Sequence, residues 1–133
     1  MILWPFMIGG ASGAILIWSL YRIGALQERS GIAVLLGAIA FFWPVFALQA
    51  NAAPLVIAFH SFVLLAFAAT AAYGFRHSAA LLAVGIIAHG VFDALVYFAG
   101  HPGPTWWPAF CGTLDIVAGV LLLVLIRTRR IPA

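Results

Sequence analysis

Charge is what this chain has least of. Of its 133 residues, 7% are charged and 66% hydrophobic, and the mean hydropathy is +1.19. A water-soluble domain carries about 25% charged residues, so this chain cannot cover a solvated surface and reads as an integral membrane protein. Lysine is absent. Six arginines stand against Glu28, Asp93 and Asp115, for a formal charge of +3. Cations this sparse, placed at the ends of apolar runs, report topology rather than nucleic-acid binding. Cys111 is the only cysteine, which excludes an intramolecular disulfide and a CxxC metal motif. Alternating apolar and polar residues are missing, which excludes a strand-based barrel. No hydrophilic stretch is long enough for a separate unit, so 1–133 reads as one membrane domain. The opening MILWPFMIGGASGAILIW lacks a basic n-region and a cleavage site, and reads as a retained helix.

What is present is long apolar runs. Crossing ~30 Å of hydrocarbon takes about 20 helical residues. Five stretches meet that need: 2–21, 32–50, 54–75, 79–100 and 108–126. Their connections are short, which predicts an all-α bundle of five transmembrane helices with sequential neighbours antiparallel. Arg22 and Arg29 fall in the first loop, Arg76 in the third, and Arg127, Arg129 and Arg130 after the last helix. In a five-helix arrangement these places share one side. The positive-inside rule makes that side cytoplasmic, with the N-terminus outside, in a multi-pass protein of the bacterial inner membrane.

Pro44 removes a backbone donor and frees the carbonyl of Ala40, so the second helix should kink there. Gly9, Gly10, Ala11, Ser12 and Gly13 in the first helix permit close helix contact, within the bundle or with a partner. A weak echo links GAIAFFWPVFAL in the second helix to GIIAHGVFDALV in the fourth. In that register Phe41 matches His89 and Val45 matches Asp93. On the outer side the loop HPGPTWWP, from His101 to Pro108, is stiffened by three prolines. Trp106 and Trp107 there read as an aromatic belt at the headgroups, or as a lid that positions a substrate.

The chemistry-bearing stretch is LLAVGIIAHGVFDALVYFAG, from Leu81 to Gly100. His89 and Asp93 are four residues apart, so they share one helix face. An Asp inside a membrane span costs at least ~2.5–3.5 kcal/mol, so such residues face protein or water and commonly serve function. With ~1.5 Å of rise per residue, His60, Asp93 and Asp115 each lie roughly 9–10 Å below the outer surface. His89 lies one turn deeper and Cys111 one turn shallower. Four readings follow. His60, His89, Asp93 and Asp115 could ligate a transition metal such as zinc, manganese or iron, with Cys111 and His101 as further candidate ligands. A water on that ion could then attack a lipid or other amphiphile. Alternatively the same residues are interhelical glue in an accessory subunit of a larger membrane complex. A proton relay finds too little to continue it inward, only Thr70, Tyr73 and His77. Heme held by His60 and His89 would have to absorb a difference in depth of one turn.

The pattern HGxxD followed by WWPxFCxxxD, carried by His89-Gly90, Asp93, Trp107-Pro108, Phe110-Cys111 and Asp115, resembles a family of small bacterial integral membrane proteins of unknown function. The resemblance covers about the last 45 residues. It implies that His89, Asp93, Cys111 and Asp115 form one unit, and it implies no activity. In that family a carboxylate lies near the position of Ser61, whereas this chain has His60-Ser61. Membrane lipids, other membrane subunits or a second copy of the chain are the partners these readings call for.

Overall fold

A computed structural model describes residues 3–133, all helix and connecting loop with no strand among them. Ile2, where the first helix was expected to begin, lies outside the described residues. The helices are α1 (Trp4–Arg22), α2 (Arg29–Ala40), α3 (Phe42–Gln49), α4 (Pro54–His77), α5 (Ala79–Ala99) and α6 (Trp107–Arg127). Together α2 and α3 form one span, so five helical segments are long and apolar enough to cross a membrane.

The ends of these helices follow from local chemistry. Proline occupies the first turn of α1, α4 and α6, where its missing N–H would have had no partner. Ser78 caps α5 by accepting from the Leu81 N–H at 3.2 Å. The turn between α3 and α4 uses Asn51 in the left-handed region, at φ 49°, which asparagine tolerates better than most residues. The kink expected from Pro44 falls at Phe41, a single turn residue between α2 and α3 whose backbone stays in the right-handed helical region (φ −72°, ψ −22°), next to the Ala40 carbonyl that Pro44 cannot serve.

In the packing, α5 is central and touches α2, α4 and α6. The pairs α3–α4, α4–α5 and α5–α6 are the antiparallel neighbours expected from short loops. The first connection behaves otherwise. Here α1 packs chiefly on α6, parallel to it, with Phe6 reaching the Tyr97 ring of α5 at 6.1 Å, and its backbone stays away from α2. Two features explain this. The linker after α1 runs across the end of the bundle, with Leu26 buried in the core. The glycine face of α1 also fits α6 closely: a Cβ on Gly13 would stand 2.5 Å from the Leu114 carbonyl oxygen, and one on Gly9 would collide with Phe110 and Thr113. That small-residue face is therefore spent inside the fold.

The bundle has two unlike halves. One is an aliphatic core that includes Ile17, Ile32, Leu36, Leu82, Ile86 and Leu122. At its end Arg29 donates to the carbonyl oxygens of Arg76 (3.2 Å) and Ala133 (2.8 and 3.1 Å), drawing α2, α4 and the tail after α6 together. The other half holds every buried His and Asp, roofed by aromatic rings.

Candidate metal centre

Two glycines set the distance between α5 and α6 at the site. A Cβ on Gly90 would lie 2.7 Å from the Gly112 carbonyl oxygen, so the two backbones meet almost directly. Residues one turn away on either helix are then forced toward each other. His89 Nδ1 lies 2.8 Å from Asp115 Oδ2 and 3.7 Å from Asp93 Oδ2. Cys111 Sγ lies 3.8 Å from Asp115 Oδ2, on the next turn of α6. One donor atom from each of His89, Asp93, Cys111 and Asp115 falls within 4.8 Å of all the others. His89 and both aspartates have 0% exposure.

Asp93 has a further partner that no sequence pattern announced. The indole Nε1 of Trp43 donates to Asp93 Oδ1 at 2.7 Å. Trp43 reaches across from α3 just beyond the kink at Phe41. It lies six residues from the outer end of its helix, hence about 9 Å deep, level with Asp93. An indole N–H in lipid needs an acceptor, and depth matching of Trp43 to the carboxylates was the signal available. In the helix-two echo, the tryptophan takes this role instead of Phe41 or Val45.

His60 is buried too, at 4% exposure, but belongs to a neighbouring arrangement. Its ring stacks on Trp43 with centroids 5.5 Å apart and planes 19° from parallel. His60 is therefore joined to the cluster through Trp43 and is not one of the four clustered donors. His101 meets the edge of the same indole, also at 5.5 Å. It stands in the outer loop, where burial holds its imidazole below the ordinary value of 6.5. Trp107 is half-buried between Phe42 (4.7 Å) and Phe46 (5.1 Å), whereas Trp106 is exposed against Trp4 (6.0 Å). The two tryptophans thus divide their duties: Trp107 packs the roof, and Trp106 has the exposure expected at a headgroup boundary. Gly103 lets the loop lie on α3, since a Cβ there would meet Phe46 at 2.9 Å and Trp43 at 3.2 Å.

The cluster has more bonding capacity than the protein uses. Asp93 Oδ2, Asp115 Oδ1 and His89 Nε2 are buried without a hydrogen-bond partner. His89 turns Nδ1 toward the carboxylates, so Nε2 lies on the far edge of the ring. Buried polar atoms are nearly always paired, so the two unpaired carboxylate oxygens beside Nδ1 need an explanation. A tetrahedral ion with bonds of ~2.0–2.3 Å holds its ligand atoms about 3.3–3.7 Å apart. The donors here can reach that spacing with small side-chain adjustments. Heme fits less well, because Phe92 packs against both His60 and His89, each at 6.1 Å, filling space the two imidazoles share. Compared with known proteins, the chain matches no family model, no curated protein and no solved structure.

Proposed function

We propose that this is a small multi-pass protein of a bacterial inner membrane that binds one divalent transition-metal ion through His89, Asp93 and Asp115, with Cys111 beside it. The observation that carries the reading is the convergence of four donors from two helices within 4.8 Å, fully enclosed, with carboxylate oxygens left unpartnered. Charge supports it. Two carboxylates and a neutral imidazole balance a divalent cation, and a site buried in lipid is stable only near neutrality. A thiolate at Cys111 would add an uncompensated charge, so Cys111 serves as a thiol at the edge of the site. Zinc, manganese and iron all suit this mixed donor set.

Trp43 acts one layer further out by fixing the carboxylate of Asp93, as hydrogen-bonded partners of metal ligands commonly do. His60 and the outer loop hold Trp43 in turn. The arginine-bearing end faces the cytoplasm and the aromatic roof faces outward, by the positive-inside rule. Below the site the aliphatic core leaves no polar path inward, so the arrangement suits holding an ion rather than passing one through. Complete burial also leaves no surface on which an amphiphile could meet the ion while the roof is in place.

The test is elemental analysis, per chain, of the detergent-purified protein beside an Asp93→Asn variant. Near-stoichiometric zinc, manganese or iron, lost in the variant, is the expected result. If the unaltered protein holds no metal and takes none up on titration with each ion, the cluster is interhelical glue and the proposal fails.

A further inference from the structure

At the arginine-bearing end, a groove of about 490 Å³ lies between α1 and α6. Ile17, Trp18, Leu121, Val124, Arg22 and Arg130 are among the residues lining it. The fold positions the Arg22 side chain and the Arg130 backbone. The Arg22 guanidinium lies 5.5 Å from the centre of the Trp18 ring, one turn back on α1. Arg130 follows a tight turn at the end of α6. There Arg129 adopts a left-handed conformation at φ 56°, and the Arg130 N–H donates to the Leu125 carbonyl oxygen at 2.9 Å. Ile131 then plugs into the aliphatic core, so the Arg130 backbone is pinned from both sides.

No carboxylate lines this groove. Asp93 and Asp115 belong to the other half of the bundle, and Glu28 sits in the linker near the Ser30 hydroxyl at 3.4 Å. The groove thus combines two arginines, and no carboxylate, with an apolar lining. A soluble anion would gain nothing from that lining, and a zwitterionic lipid would meet the arginines with its own cation. We infer that the groove binds one anionic diacyl phospholipid, with the phosphate between Arg22 and Arg130 and one acyl chain along Trp18 and Val124. Basic pockets between membrane helices are suited to such headgroups.

The full chain is reconstituted in vesicles of equimolar phosphatidylglycerol and phosphatidylcholine, extracted in mild detergent, and its retained lipid counted by native mass spectrometry. Phosphatidylglycerol should be retained preferentially, one per chain. Arg22→Gln and Arg130→Gln should each reduce that preference about five-fold, as expected for one arginine at a membrane surface. Arg22→Lys should retain most of it. Arg127→Gln, which removes the same charge away from the groove, should leave it unchanged. Equal retention of both lipids, an equal loss in Arg127→Gln, or displacement of the lipid by excess inorganic phosphate would overturn the assignment.

Discussion

The two halves of the bundle share the same pair of central helices and the same spacing between them, yet they are filled with different chemistry. In the half at the arginine-bearing end α5 and α6 close around Leu82, Ala83, Ile86, Ala118 and Leu122, all fully buried and all apolar. In the half under the aromatic roof the same helices close around His89, Asp93, Cys111 and Asp115. Glycine sets the approach in both. A Cβ on Gly119 would stand 2.8 Å from the Ala83 carbonyl oxygen, as one on Gly90 would stand 2.7 Å from that of Gly112. The polar cluster is therefore no loosened region of the bundle. It is a tight helix interface in which apolar side chains have been replaced by ligating ones, at a cost that hydrogen bonding repays only in part.

The contrast is sharpest under truncation. Asp115→Ala should abolish metal retention and lower unfolding stability by about 1–3 kcal/mol, because it leaves the His89 imidazole buried without its 2.8 Å partner. Leu122→Ala should also destabilise, within the roughly 2–5 kcal/mol of core truncations and toward the low end, since lipid tails solvate aliphatic groups as well as leucine does. Its metal content should be unaltered. Metal analysis and thermal melting of both variants in the same detergent decide the matter. Equal metal loss in the two would mean that the halves are not separable.

A smaller effect is expected at Trp43→Phe. The ring still packs between His60 and the loop, but the 2.7 Å hydrogen bond to Asp93 is gone. Metal affinity should weaken about 10–100-fold, the usual consequence of losing a partner that orients a ligand, with little change in helix content. An affinity equal to that of the unaltered protein would remove Trp43 from the site.

The smallest effect belongs to the roof. Because burial lowers the His101 value below 6.5, the docked loop prefers the neutral imidazole. Docking is then favoured above the free value and weakens as pH falls through the depressed one. Hydrogen exchange across residues 100–106 should accelerate between neutral and mildly acidic pH, and His101→Gln should flatten that response. Slower exchange in acid would reverse the sign and refute the account.

Much of this was written in the chain's hydropathy and spacing. The spans were legible because apolar runs of about twenty residues, parted by short loops, admit few other readings, and the kink in the second span because Pro44 leaves one carbonyl unserved. Depth along a helix was legible too, which is why Asp93 and Asp115 could be matched across α5 and α6. Azimuth was less so. His60 lies at the matching depth, but its position on α4 turns it onto the face of Trp43 instead of into the four-donor cluster. Cys111, a secondary candidate by sequence, shares a face with Asp115 and falls within the cluster. The partner of α1 was hidden for a related reason: loop length suggests neighbours, whereas the complementarity of Gly9 and Gly13 to the surface of α6 depends on shapes far apart in sequence.

That distant pairing has a consequence for synthesis. Helix α1 leaves the ribosome with its glycine face unmatched, and Trp107–Arg127, the helix that covers that face in the finished bundle, follows after residues 23–106. At ~5–20 residues per second the interval is roughly 4–17 s. During that time α1 is an independent passenger in the bilayer, with a surface that other glycine-faced helices could occupy. Helix α1 thus enters the membrane well before the helix it pairs with, and its place in the bundle is settled only when α6 arrives.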